Sequence, residues 1–300
     1  MNADHHRLLD AMSLGVVVAT KDRWTSLRPL LEQLVDQAME GPVVVVDQSS
    51  QQGRDACADW FRDRAPSNFQ HVVASPEGLP AARNKGWRLT QVDVVVFVDD
   101  DVTIGPGFFS AHLSAYADGT VGAVAGRVTE SPSVYNRTQV CNRVEWYGRV
   151  LCQLDVEGEA DVESVRGANM SFRREALQRS GGFDSGYGGS FFLEETDLCS
   201  RLRGMGWRVR YVGAASLVHH RVSVGGCRLT AKRERLRWRC HNTGRYLRRH
   251  GGGLSAIGGL AYVFWLSIRS MTTGSAMGSL RTGAHAYWRG WRHGKSIQAT

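Results

Sequence analysis

The stretch VDVVVFVDDDV, residues 92–102, decides how the rest of the chain is read. Its first seven residues are a nearly continuous β-branched and aromatic run. A run of that kind needs apolar cover on both faces, as a buried strand of a parallel sheet has. Three carboxylates, Asp99, Asp100 and Asp101, follow directly. Side by side they repel one another unless a cation or hydrogen-bond donors compensate them. Hard oxygen ligands suit Mg²⁺ or Mn²⁺, which complete their shells with substrate phosphates. One acid at a strand end reads equally well as a solvated turn; three in a row do so less readily.

Outward from this stretch the pattern repeats. LGVVVA (14–19), VVVV (43–46), FQHVVA (69–74) and VGAVAG (121–126) are similar runs, separated by helix-length segments such as 24–39 and 79–90. The alternation predicts an α/β fold, a Rossmann-like, mostly parallel twisted sheet with flanking helices. Ligands of such sheets bind at the carboxyl ends of the strands. Thr20-Lys21-Asp22, Asp47-Gln48-Ser49 and the three aspartates are therefore expected on one edge. Thr, Ser and Asp are also helix-capping residues, and for Thr20 and Ser49 taken alone capping is the simpler reading.

Residues 129–165 carry no assignable periodicity. After them ESVRGANMSF reads as a strand, 173–179 as a helix, GGFDSGYGG (181–189) as a mobile glycine loop, and a helix is expected to begin near Glu194. Segments 207–212 and 215–218 read as two further strands. Acids in a first helical turn are favoured by the helix dipole, but a carboxylate after a glycine loop can also serve as a general base. Glu195 is the candidate, while Asp197 is spaced to pair with Arg201 one turn on. His219 and His220 point to opposite sides of a strand, so at most one can join a metal site.

Charge is unevenly spread. Of 37 basic and 29 acidic residues, fifteen Lys and Arg but only Glu234 among the acids lie in 221–300, which leaves 22 basic and 28 acidic residues upstream. The tail is thus expected to face an anionic partner. RLTAKRERLRWRCHNTGRYLRRH (228–250) fits a basic amphipathic helix, and GGGLSAIGGLAYVFWLSI (251–268) is apolar but short of the ~20 residues that span a bilayer. An interfacial helix on an anionic membrane fits both; packing of 254–268 on the catalytic domain fits as well. No nucleic-acid module accompanies the charge, and no nucleic-acid partner is expected. Six scattered cysteines without a C-x-x-C pair argue against a zinc site or disulfide scaffold, and residues 1–10 show no apolar signal core. The expected location is the cytoplasm, peripheral on the inner face of the membrane.

Taken together these residues resemble the family 2 glycosyltransferases with the GT-A fold, over roughly residues 13–250. The pieces occur in the family's order: VVVATKDRWTSL, VVVVDQSS, PEGLPAARNKG, VFVDDDVTIGPGF, RGANMSFRREALQRSGGFDSGYGGSFFLEETDLCSRLRGMGWRV and LVHHRVS. The resemblance implies a catalytic domain over 13–220 and a basic helical extension over 221–300. It implies that Thr20, Asp47 and Gln48 contact the nucleoside, that Arg83 lies near the nucleotide, and that Asp100 is the ribose-side acid. Asp101 falls on the metal ligand, with Asp99 beside it and His219 or His220 completing the site. Asn169 falls in the donor-sugar pocket. Glu195 falls on the family's base, where Asp is more common, so Glu194 could share the role.

The implied activity is metal-dependent, inverting transfer of a sugar from a nucleotide-diphosphate sugar to a hydroxyl or amine. The acceptor, whether glycan, lipid-linked or small molecule, is open. FFLEETDLCSRL resembles the corresponding stretch of rhamnosyltransferases. Two other readings fit parts of the chain. A nucleotidyltransferase would also use paired acids and a metal, but no glycine-rich phosphate loop follows the first strand. A non-catalytic membrane-associated binding protein would use the tail alone, and the intact acids speak against it.

Overall fold

The computed structural model describes residues 12–75, 77–130, 140–227, 229, 231–270 and 276–297; the polar N-terminal segment read above lies outside them. Strands β1 (Leu14–Thr20), β2 (Val43–Asp47), β3 (Phe69–Val73) and β4 (Val94–Val98) lie in the order β3-β2-β1-β4, all parallel. Helices α1 (Trp24–Asp36), α2 (Gln51–Arg64) and α3 (Leu79–Leu89) connect them. Thr20 pairs with Asp47 and Val18 with Val98, so the three polar triplets open on one edge.

Next in the chain come β5 (Val102–Ile104), α4 (Phe108–Ala115), β6 (Val121–Glu130), β7 (Cys141–Val144), β8 (Val150–Gln153), β9 (Glu159–Asp161) and β10 (Asn169–Arg173). Helices α5 (Arg174–Ser180) and α6 (Glu194–Gly204) and strand β11 (Arg208–His219) follow. Beyond β4 the sheet is mixed. β10 is inserted antiparallel between β4 and β6, β11 runs parallel to β6, and β5 and β9 pair antiparallel with β11. The run 121–126 therefore has one antiparallel and one parallel neighbour, not the two parallel ones its composition suggested. The two strands expected between 207 and 218 are one, with an irregularity between Val212 and Ser216. The unassigned region contains the β7–β8 hairpin and β9.

Strand alternation sorts the core. Val16, Val18, Val45 and Val96 face Leu27, Leu30 and Leu31 of α1, while Val17, Val95 and Phe97 face Trp87, Leu198 and Leu202 on the other side. Both faces are covered, which is why the strand runs are continuously apolar. Full burial of each such side chain contributes on the order of 1.5–3 kcal/mol.

Three helices end the chain: α7 (Lys232–His250), α8 (Gly253–Arg269) and α9 (Ala276–His293). They form a third apolar cluster around Leu236, Cys240, Leu247, Val263 and Tyr287. Helix α7 is tied to the core by ion pairs. Arg245 is fully buried and donates through Nε and Nη2 to Asp184 at 2.9 Å each; Arg249 pairs with Asp184 and Asp197, and His250 with Asp197. Part of the tail's basic excess is thus spent on core acids, a pairing that charge counting cannot see. Among the described residues no helix is long and apolar enough to cross a membrane.

Candidate active site

The carboxylates at the end of β4 are held by donors from three elements. Thr20 Oγ1 donates to Asp100 Oδ2 at 2.8 Å, and Arg23 Nη1 lies 3.0 Å from Asp100 Oδ1 and 3.4 Å from Asp101 Oδ2. Sequence reasoning missed Arg23, although a basic residue just past the polar end of β1 was the available signal. Its other nitrogens donate to the carbonyls of Val222 and Val224 at 2.9 Å. Residues 222–226 thus cross over the site, although the sequence places them in the extension. Gly226, at φ +68°, allows this, because a Cβ there would meet the Arg23 guanidinium at 2.6 Å.

Burial pushes the Asp100 carboxyl up to about 6 despite Arg23 and Thr20. Burial also raises Asp101, but the hydrogen bond and charge of His219, the charge of Arg23 and the Val222 N–H outweigh it and hold Asp101 below the usual range. The mutual repulsion of the three acids is therefore met largely by protein donors. Ligand geometry remains as the argument for a cation. His219 Nε2 lies 3.1 Å from Asp101 Oδ1 and 3.8 Å from Asp99 Oδ2, and its Nδ1 is buried without a partner. Asp99, Asp101 and His219 bring one ligand atom each within 4.8 Å of one another. Two carboxylates and an imidazole fit Mn²⁺ or Mg²⁺. His220 does not join them: its Nε2 meets Thr103 Oγ1 at 2.8 Å, on the opposite side of the chain.

A pocket of about 200 Å³ lies against these acids, lined also by Thr20, Lys21, Gln48 and Ser190. Gln48 Nε2 donates to Ser75 O at 2.7 Å. Asp47 is fully buried and outside the pocket wall, accepting from Ser49 N and pairing with His71 Nε2 at 2.9 Å. Asn169 is also placed away from the pocket. Its Oδ1 meets His112 Nε2 at 2.9 Å and its Nδ2 donates to the carbonyls of Arg127 and Ala215 at 2.8 Å, so it knits β6, β10, β11 and α4 together. Both side-chain polar atoms are thus engaged inside the fold.

Arg83 joins the aspartates to α6. It is buried, its guanidinium lies 5.5 Å from the Phe183 ring centre, Nη1 donates to Glu194 Oε1, and Nη2 donates to Gly167 O at 3.0 Å and lies 3.6 Å from Asp99. This sorts the two glutamates. Glu194 is the buried partner of Arg83. Glu195 is half-buried and lines a second cavity of about 460 Å³ with Glu130, Arg166, Val150 and Phe192. Burial pushes the Glu195 carboxyl up, with the Arg83 charge opposing, so desolvation outweighs the acidifying helix terminus. Asp197 is fully buried; burial raises its carboxyl, but His250, Arg201 and Arg249 hold it well below the usual range. Phe191 and Leu193, just before α6, sit at φ 55° and 75°, a conformation that costs a non-glycine residue on the order of 1–3 kcal/mol.

The glycine loop before them is docked rather than free. Asn242 of α7 exchanges hydrogen bonds with Gly188 N and O and donates to Phe192 O. At Gly186 a Cβ would fall 2.2 Å from Arg245, and at Gly188 2.4 Å from Trp238. These glycines allow close packing on α7; mobility is not needed to explain them.

Known proteins resemble this chain in sequence and fold. The profile described as glycosyl transferase family 2 matches residues 15–181. A glucosyl-dolichyl phosphate glucuronosyltransferase of Haloferax volcanii is 29% identical over 218 residues, 69% of this chain and 69% of its own length. A pre-mycofactocin glycosyltransferase of Mycobacterium tuberculosis is 32% identical over 220 residues, 70% of this chain but 43% of its own length. The crystal structure of GalNAc-T7 with UDP, GalNAc and Mn²⁺ superposes with a TM-score of 0.66 at 11% identity, covering 92% of this chain and 54% of that one, a likeness of fold. With the family profile spanning more than half of its residues and the carboxylate edge in place, this chain belongs to glycosyl transferase family 2.

Proposed function

We propose that the carboxylate pocket receives a nucleoside-diphosphate sugar and that the Glu195 cavity receives the acceptor, for a single inverting displacement at the anomeric carbon. The observation that carries this is Arg83, which lies 3.6 Å from Asp99 on the donor side and pairs with Glu194, the neighbour of Glu195 at the start of α6. One buried guanidinium thereby ties the donor edge to the helix turn that carries the base. Thr20, Gln48 and Asp100 bind the nucleoside and ribose, with Asp47 and His71 supporting them from behind. Asp99, Asp101 and His219 would hold Mg²⁺ or Mn²⁺, which supplies Lewis-acid stabilisation of the departing diphosphate. Glu195 takes the proton from the acceptor hydroxyl or amine as the new bond forms, and its desolvated carboxyl is a better base than an exposed one.

A thermal-shift panel of nucleotide sugars with and without Mn²⁺ tests this, since a ligand that binds only the native state raises the midpoint. A midpoint indifferent to every nucleoside diphosphate and sugar nucleotide would sink it.

We further propose that catalysis takes place at an anionic membrane surface. Helix α8 exposes Leu254, Ile257, Phe264, Trp265 and Ile268 along one face, with Leu254 77% and Ile257 66% accessible. That face has the apolar character of an interfacial helix, beside a basic tail. One relative, the Haloferax glucuronosyltransferase, has a dolichyl phosphate in its name. Vesicle co-sedimentation is the test: binding should require anionic lipid and be released by salt, and a protein that ignores anionic vesicles has no such role.

A further inference from the structure

A separate cleft opens between α7 and α9, away from the aspartates, with a volume of about 1140 Å³ against about 200 Å³ for the carboxylate pocket. Arginines recur at four-residue spacing on both walls, Arg233 and Arg237 on α7 and Arg281 and Arg289 on α9, with His241 and His285 in the same rows; burial pushes His241 down to about 4, so it adds no charge. Residues four apart share a helix face, so each helix turns one basic edge into the same space. Glu234 is the one acid in the lining, and Arg237, Arg281 and Arg289 have no ion-pair partner among the described residues. Arg245 at the bottom is already spent on Asp184.

Two facing edges of like charge repel, and Glu234 is a single acid against Arg233, Arg237, Arg281 and Arg289. The helices stay together through their other faces, where Leu236 and Cys240 cluster with Tyr287. The repulsion is a cost that packing does not require, because Arg233, Arg237, Arg281 and Arg289 are exposed and those positions tolerate neutral side chains. An anion from outside would offset it. The end wall is the glycine loop, Ser185 to Gly188, lying on Trp238. The same loop continues to Ser190 in the carboxylate pocket and then to Glu195.

We infer that the α7–α9 cleft binds a phosphate or diphosphate group, at a site distinct from the donor's. Guanidinium forks on two walls match the several oxygens of a phosphate better than the single edge of a carboxylate. The concave shape and single indole do not suit a nucleic-acid strand, which needs a long basic track with repeated stacking partners. The phosphate belongs either to a lipid headgroup or to a soluble molecule. Either would brace the loop that carries Ser190 and leads to the base.

The test is calorimetric titration of the full chain with inorganic pyrophosphate in EDTA, which keeps metal out of the carboxylate pocket. Arg281→Gln/Arg289→Gln removes two exposed guanidiniums, and Asp101→Asn serves as the donor-site control. Charge-assisted hydrogen bonds of this kind make the expected loss about tenfold or more in the double variant, with no change in Asp101→Asn. Where the double variant lacks the wild-type thermal midpoint, Arg237→Gln alone takes its place. A second arm measures co-sedimentation with phosphatidylcholine vesicles with and without phosphatidic acid. Pyrophosphate binding that depends on the arginines supports a soluble phosphate. Binding to phosphatidic acid alone, weakened in the arginine variant, supports a headgroup. Pyrophosphate affinity unchanged by the substitutions, or no pyrophosphate binding together with vesicle binding indifferent to them, overturns the site. Donor binding with Mn²⁺ is measured separately, so either result leaves the transferase reading to its own test.

Discussion

Replacing the two adjacent glutamates one at a time should separate stability from chemistry. Glu194 and Arg83 are 1% and 4% exposed at their side chains, so Glu194→Gln leaves a buried guanidinium without its main counter-charge. Breaking such a pair costs about 3–5 kcal/mol. The lower end applies, because Arg83 keeps Asp99 and Gly167 O, and Glu194 Oε2 was already without a partner. At roughly 2–4 °C per kcal/mol for a chain of this size, the midpoint should fall by about 6–12 °C. Glu195→Gln should do the reverse. Burial raises this carboxyl, so its ionised form is disfavoured in the folded chain, and wild-type stability falls as pH rises through the interval above the ordinary 4.5. Glutamine removes that loss. The midpoint should be equal or higher at neutral pH, with the difference vanishing in acid, while kcat drops about 10²–10⁴-fold and donor affinity holds. Calorimetric melts across pH and steady-state kinetics read both quantities. A larger kcat loss in Glu194→Gln, with its melting unchanged, would refute the sorting of the two acids.

The other expectations are shorter. Asp101→Asn, or excess EDTA, should abolish metal-dependent nucleoside diphosphate binding while leaving the fold, by circular dichroism, intact; full activity in either condition would exclude the metal site. The acid limb of the kcat/KM profile should lie above 4.5, because Glu195 works ionised and its carboxyl is raised; an acid limb below that value would contradict the desolvation. Arg23→Met should weaken donor binding and lower the midpoint, since Asp100 and Asp101 lose their shared counter-charge; unchanged titrations and melts would show that the arginine is incidental. Ile257→Ser/Trp265→Ser should reduce vesicle binding without affecting transfer to a soluble acceptor, as both residues lie on the exposed face of α8; unaltered sedimentation would remove that face from the membrane reading.

The apolar runs determined by themselves where β1, β2, β3 and β4 lie, and the polar triplets after β1, β2 and β4 determined which edge carries the chemistry. Both signals are local: a strand covered on two faces must be apolar throughout, and a parallel sheet puts all its strand ends on one side. The ordered motifs reached further, to the family and to the acids of α6. Tertiary structure decided the rest. Nothing in GANMSF tells that Asn169 spends every polar atom on His112, Arg127 and Ala215, because those partners lie 42 to 57 residues away. Nothing in HHR chooses between the histidines, since the choice depends on which side of β11 meets the end of β4. Arg23 gains its role only when residues 222–226 fold over it and supply carbonyls from 199 and 201 positions away. The glycine loop reads as mobile until α7 is packed against it. The basic excess of the tail reads as facing an anionic partner until Arg245 and Arg249 are found on Asp184. Long-range pairs of charges and hydrogen bonds leave no periodicity in a sequence, and only the folded chain brings their members together.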